Sequence, residues 1–320
     1  MFKIFYDKKR WNDFLWKNFE FPYYTQIYEW MEVLVKTFQN LEMYPLVWEE
    51  NGEIKDIIPF IYDKNSKILF SPSPFGGLGG LLNPKLYQIL IKEITEKFSR
   101  EKKINYIQVF SPKKINSGFK LFSQPILMQI NLTGDKILFS RSFIQRLKKS
   151  QKLGVKIDIV NNLGTEKINW IYQLYYQTMI KNKAKLIFPK ELFQNIFLFF
   201  KKYLVFFECI LSDGTPIGYN IAFFFKNSIF SFFSIIDYNY KQYAPGVRLF
   251  YEMINFAREH NLKIVDYGPD AIGTGTYEFK KRAGAKPIFY YHYIYSLNPV
   301  GHFFIFKHRV KKFLIKILKR

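Results

Sequence analysis

Asp266-Tyr-Gly-Pro-Asp-Ala-Ile-Gly-Thr-Gly-Thr-Tyr-Glu-Phe-Lys280 places a strand end, a glycine-loosened loop and a lysine in direct succession. An acyl-transfer site can be built this way. Ile264 to Tyr267 read as a short buried strand that Gly268-Pro269 stops. Gly273, Gly275 and Thr276 then let backbone amides come close to a ligand. Lys280 delivers a positive charge beside that loop. The plain alternative is a glycine-rich loop carrying solvated lysines.

A second concentration of charge lies in Lys136 to Lys152, where Arg141, Arg146, Lys148, Lys149 and Lys152 alternate with apolar Phe143, Ile144 and Leu147. In a helix of that pattern one face packs while the other meets phosphate, or simply water. Phe75 to Gly80 form a glycine loop without the lysine and hydroxyl residue of a nucleotide-binding P-loop. It reads as close backbone packing or as a substrate contact.

The elements that must position these groups fit 320 residues, enough for two medium domains, and 48% hydrophobic content excludes global disorder. A formal net charge of +22 implies attraction to polyanions, although abundant Phe, Ile, Lys, Asn and Tyr also suit an AT-rich coding sequence. Cys209 is the single cysteine, so disulfides within the chain and cysteine-based zinc sites are excluded. His260, His292, His302 and His308 show no metal-ligand spacing, and no metal or bound cofactor is expected. The N-terminus lacks an apolar signal core and no apolar run is long enough to span a bilayer, so the cytoplasm is the expected location.

Met43 to Glu50 and Ile54 to Tyr62 flank Asn51-Gly52, a strong hairpin signal; Lys67 to Ser71 offers a third strand, Pro84 to Glu101 a helix and Ile104 to Phe110 a fourth strand. The second half repeats the order with Leu204 to Leu211, Ile217 to Phe225, Ile229 to Ile236, a helix from Gly246 to His260, and Ile264 to Tyr267. Two helices, Glu166 to Lys181 and Pro189 to Lys202, precede the second copy. The expected fold is α/β (α+β): two tandem domains, each a mixed, mostly antiparallel sheet flanked by helices. Residues 1–135 would form the first, 136–298 the second, with 299–320 as a tail. This is the element order of the GNAT acyltransferase fold.

Four segments resemble the Fem family, the FemAB-like branch of the GNAT superfamily, whose characterised members attach amino acids to peptidoglycan precursors. They are Thr25-Gln-Ile-Tyr-Glu-Trp-Met-Glu-Val33, Ser71-Pro-Ser-Pro-Phe-Gly-Gly-Leu-Gly-Gly80, Lys148-Lys-Ser-Gln-Lys-Leu-Gly-Val155, and Asp266-Tyr-Gly with Gly275-Thr-Tyr-Glu-Phe-Lys-Lys-Arg-Ala-Gly284. The resemblance implies a Phe-Lys pair at the site, here Phe279 and Lys280. As an amine attacks an ester or thioester, the ammonium would stabilise the carbonyl oxygen's growing charge. Phe279 would position the loop or offer its amide. Asp266 and Asp270 would orient the amine or accept its proton, or else cap a turn. Substrate contacts are expected from Arg146, Lys148, Lys149, Lys152, Trp30, Lys36, Tyr277 and Gly275, the basic residues serving a sugar-diphosphate acceptor or the acceptor end of tRNA.

Two departures bear on substrates. Val33 stands where the peptidoglycan-ligating members often carry a lysine, and Lys36 lies one turn further on. Gln242-Tyr-Ala-Pro-Gly-Val247 breaks the turn that holds the pyrophosphate of coenzyme A. The co-substrate is therefore either acyl-CoA or aminoacyl-tRNA, with the latter favoured.

In the tail, Phe303, Phe306, Val310, Phe313, Leu314 and Ile317 recur at helical spacing, with Lys307, Arg309, Lys311, Lys312, Lys316, Lys319 and Arg320 largely opposite. Residues 303–320 suit an anionic membrane, at the inner face of the cell membrane, or pack on the body. The expected activity is N-acyl or aminoacyl transfer, by a monomer, to an amine of a phosphorylated cell-envelope precursor, peptidoglycan or surface polysaccharide. The competing expectation is a non-catalytic basic module holding RNA or membrane.

Overall fold

The computed structural model describes residues 1–71, 79, 83–98, 102–115, 118–134, 136–160, 163–181 and 183–307. Most of the Ser71–Gly80 loop and the tail beyond residue 307 lie outside the described residues. Two compact units are formed: Met1–Leu15, Thr25–Pro125 and Phe289–Arg320 make the first, Trp16–Tyr24 and Ile126–Ile288 the second.

The chain opens with β1 (Phe2–Ile4), α1 (Lys8–Asn18) and α2 (Tyr28–Thr37), then β2 (Leu41–Glu50), β3 (Glu53–Asp63) and β4 (Ile68–Ser71). Next come α3 (Leu86–Glu93), which runs into a π turn at Ile94–Phe98, β5 (Tyr106–Ser111) and β6 (Lys120–Ser123). The middle of the chain gives β7 (Ile126–Asn131), α4 (Arg141–Lys152), β8 (Lys156–Val160), α5 (Thr165–Lys181) and α6 (Lys190–Phe200). There follow β9 (Leu204–Ile210), β10 (Pro216–Phe225), β11 (Ser228–Ile236), α7 (Pro245–Glu259), β12 (Ile264–Asp270), α8 (Gly275–Arg282) and β13 (Lys286–Phe289). The chain then forms β14 (Tyr291–Ser296) and α9 (299–307).

In the first unit the sheet order is β1-β2-β3-β4-β5-β14-β6. Asn51 and Gly52 both adopt positive φ, 51° and 79°, which matches the right-handed twist of the β2–β3 hairpin. Tyr44, Leu46, Phe60 and Ile107 meet Tyr87, Leu90, Ile94 and Phe98 of α3 and its π turn in one buried cluster. In the second unit the order is β13-β7-β12-β11-β10-β9-β8. Strand alternation sends Val205, Phe207 and Cys209 to the core shared with Phe143 and Leu147 of α4 and Leu249, Met253 and Ile254 of α7. On the opposite face, Phe193 of α6 and Tyr175 of α5 pack on Phe233, ring centroids 5.1 and 5.5 Å away. Burial pushes the Cys209 thiol up to about 12, which makes it an inert core residue.

The expected duplication is present. In each unit two antiparallel steps, β2–β3–β4 and β9–β10–β11, are followed by a helix and one parallel step, β4–β5 and β11–β12. The strands that close each sheet come from elsewhere in the chain. Ile126–Asn131, read from sequence as the end of the first domain, pairs with β12, and Tyr291–Ser296, read as the end of the second, pairs with β5 and β6. Ladder partners so distant in sequence leave no local pattern to reveal them.

Candidate acyl-transfer site

In the second unit the ladder between β11 and β12 spans Ser228–Phe230 against Ile264–Asp266. Both strands run on beyond it. On its other edge β12 pairs with β7, and the register shifts between Asp266 and Pro269. Gly268 lies at the shift with φ +79°, and a Cβ there would sit 3.4 Å from the Ser231 carbonyl oxygen. Instead of stopping the strand, as the sequence suggests, Gly268-Pro269 forms a bulge that carries β12 on to Asp270.

Asp266 braces this bulge. Its side chain is fully buried. Gln129 Nε2 donates to Oδ2 at 2.7 Å and the Gly268 N–H donates to Oδ1 at 2.6 Å. Burial pushes the carboxyl up to about 6, against the opposing pull of these two donors and the Lys280 charge. Both oxygens face inward partners, so Asp266 is placed to hold the strand and not to meet a substrate amine.

Asp270 ends β12 and organises the loop beyond it. Its Oδ1 accepts from the Ala271 N–H at 2.8 Å, Thr274 Oγ1 at 2.7 Å and Thr276 Oγ1 at 3.0 Å. Its Oδ2 stands 3.0 Å from Lys280 Nζ. Burial alone would raise this carboxyl, but the Thr274 hydroxyl, the Lys280 ammonium and the Ala271 amide together hold it below the usual range.

Lys280 reaches back from the second turn of α8, and its Nζ also donates to the Pro269 carbonyl at 3.2 Å. The side chain is 12% exposed. An ammonium carries three N–H donors. One of them goes to the Pro269 carbonyl, while Asp270 holds the ammonium as an ion pair.

The helix carrying Lys280 starts at a Thr274 cap, whose Oγ1 accepts from the Tyr277 N–H at 3.1 Å. Gly275 opens the helix, exposed, with nothing within 4 Å of where a Cβ would lie. Tyr277 is buried in the core. Phe279 sits mid-helix, where the backbone amide is used by the helix itself. The ring meets Phe250 edge-on at 4.9 Å and lies 6.3 Å from Phe143, tying α8 to α7 and α4.

The basic helix begins beside this one. The Ser140 N–H donates to the Arg282 carbonyl at 3.0 Å, and Ser140 Oγ caps α4 by accepting from the Phe143 N–H at 3.2 Å. The helix therefore starts at residue 141, later than the expected 136. Arg141, Arg146, Lys148, Lys149 and Lys152 are all exposed, as are Lys281 and Arg282 at the end of α8. Trp30 and Lys36 belong to α2 of the first unit; Trp30 is fully buried, with no ring surface offered to a ligand, and Lys36 is exposed.

Sequence reasoning missed Gln129 and Thr274, and the part that the Thr276 hydroxyl plays on Asp270. A threonine just before Gly275-Thr-Tyr-Glu278 is a helix-start signal that would have found Thr274. Nothing local points to Gln129, whose partner is 137 positions away. At the start of α7, Ala244 adopts φ 52°, ψ 48°, and Pro245 takes the first helical position without an N–H.

A mixed sheet whose central strands leave their ladder beside a capped, lysine-bearing helix, set on a duplicated framework, defines a tandem GNAT-like fold. Residues 140–281 match the acetyltransferase (GNAT) domain family. The whole fold is similar to FemX, at 13% identity and a TM-score of 0.74 over 95% of this chain and 100% of that one. It is also similar to a tandem GNAT protein from the clavulanic acid biosynthesis pathway, at 9% identity and TM-score 0.57 over 93% of this chain and 99% of that one. A third likeness is the C-terminal domain of a putative lysylphosphatidylglycerol synthetase from Agrobacterium fabrum, with 11% identity, TM-score 0.58 and 92% of each chain covered. No curated protein sequence matches the chain. The likeness to a GNAT domain therefore covers residues 140–281, within the second unit, and the Fem resemblance holds at the level of the fold.

Proposed function

We propose that the protein transfers an acyl or aminoacyl group from an activated ester or thioester to an amine of a phosphorylated cell-envelope precursor. The observation that carries this reading is the Lys280 ammonium, largely withdrawn from solvent, fixed by the Asp270 carboxylate and the Pro269 carbonyl, with N–H capacity beyond these for a substrate carbonyl. The amine attacks the carbonyl carbon, a C–N bond forms, and the oxyanion gains the Lys280 N–H. The intermediate collapses with loss of the C–O or C–S bond, and the amine proton passes to the departing oxygen or sulfur through water. Asp266 and Asp270 act as positioning residues, one for β12 and one for the lysine.

The exposed cations of α4 and α8 offer the phosphate contacts. Pro245 removes one N–H from the turn that would hold the coenzyme A pyrophosphate, which favours aminoacyl-tRNA as donor. The likeness to FemX and to the lysylphosphatidylglycerol synthetase domain supports a cell-envelope acceptor. Thermal unfolding of the purified protein with charged tRNA or with CoA thioesters tests the donor, because a ligand that binds the native state raises Tm. Charged tRNA is expected to protect. Protection by the thioester alone would reverse the donor assignment, and failure of every amine acceptor to take up label from either donor would overturn the transferase reading.

A further inference from the structure

We propose that α9 binds the surface of an anionic lipid bilayer through an outward apolar face. The helix is fixed to the first unit along one side. Ile305 is buried with Tyr106 and Ile294, and the Phe304 ring stacks on Tyr106 at 5.5 Å. Gly301 sets the closest approach, since a Cβ there would lie 2.2 Å from the Asn105 carbonyl oxygen. Asn298 locks the helix start, its Oδ1 accepting from the Gly301 N–H at 3.0 Å and its Nδ2 donating to the Ile104 carbonyl at 3.2 Å.

That attachment decides which side chains face outward. At about 100° per residue, Phe303 and Phe306 lie about 200° and 140° around the axis from Gly301, at the pole turned away from the body. They are 67% and 65% exposed, and Val300 beside them is 61% exposed. Three apolar side chains held outward on a fixed helix form a patch that solvent alone does not favour.

Charge complementarity selects the occupant. No acidic residue follows Glu278, while Lys307, Arg309, Lys311, Lys312, Lys316, Lys319 and Arg320 follow the patch in sequence. The apolar spacing also continues in the sequence through Val310, Phe313, Leu314 and Ile317. Aromatic residues at the pole, followed in the sequence by a run of cations and no acidic residue, match the boundary between headgroups and acyl chains of a negatively charged leaflet. No described helix is long and apolar enough to cross a membrane, so the contact is with the surface.

Full-length protein is tested by co-sedimentation with vesicles of phosphatidylcholine containing one-third phosphatidylglycerol, and with vesicles of phosphatidylcholine alone. Binding is expected to the anionic vesicles, weakened about tenfold or more by Phe303→Ser with Phe306→Ser, and weakened by about 0.5 M salt. The Tm of the double variant should match the wild type, since neither ring is buried. Failure of the wild-type protein to bind, or equal binding by the double variant, would overturn the proposal. So would a wild-type dimer that the double variant abolishes while vesicles capture neither, which would assign the patch to a second copy of the chain. The measurement contains no acyl transfer, so its outcome is separate from that of the proposed reaction.

Discussion

The Lys280 ammonium stands 3.0 Å from the Asp270 carboxylate, and the other oxygen of that carboxylate gathers Ala271, Thr274 and Thr276. One aspartate thus fixes both the charge that would act on substrate and the start of the helix that carries it. Lys280→Ala should lower kcat by about a hundredfold or more, the range for losing one oxyanion donor. Steady-state kinetics with the donor identified by thermal protection checks this.

Removing the lysine also leaves Asp270 charged and enclosed, so Lys280→Ala should cost about 1–3 kcal/mol of stability. Adding Asp270→Asn should return part of that loss without restoring turnover. Denaturant unfolding of the two single variants and the double variant measures the coupling; additive effects would show that the pair does not interact.

Asp266 gives the protein a pH dependence of a particular sign. Its folded value of about 6 lies above that of an unfolded aspartate, so the folded state holds the proton more tightly. Its contribution is fully present below about pH 4 and is lost as pH rises through about 6, a change of about 3 kcal/mol. Asp270, with its lowered value, works in the opposite direction as pH falls. Asp266→Asn should remove the loss between pH 4 and 6, with Gln129 turning its amide to accept from the new donor. Melting curves across that window test it.

Thr274→Ala deletes the cap of α8 and the hydroxyl that bridges to Asp270, for an expected loss of about 1 kcal/mol. Thr274→Ser keeps both hydrogen bonds and should restore the wild-type Tm.

Gly284→Ala should be more damaging. The residue has φ +89°, and the new methyl would fall 2.5 Å from Ile137 Cγ2, forcing apart α8 and the segment that leads into α4. A stability loss of about 1–3 kcal/mol is expected in denaturant unfolding.

The sequence disclosed elements whose signals are local. Asn51-Gly52 announced its hairpin, and the short apolar runs Leu204 to Leu211 and Ile217 to Phe225 announced two central strands. The duplicated order made the GNAT comparison legible, and Lys280 could be singled out because glycines and a strand end surround it. What stayed hidden depends on long-range pairing. Gln129 reaches Asp266 only because β7 lies beside β12, and the bulge at Gly268 reads as a terminus unless that neighbour is known. The sequence leaves Asp270 as either a cap or a chemical group; in the fold it holds the loop and the lysine together.

The insertion of β14 between β5 and β6 has a consequence for biosynthesis. While the ribosome is still making the middle of the chain, the edge of β5 has every residue it will contribute yet no partner on that side. It stays exposed as a template for mispairing until Tyr291–Ser296 has been made. Nascent chains halted before that strand should therefore be sticky, and a chaperone would be needed by the first unit until the strand is in place.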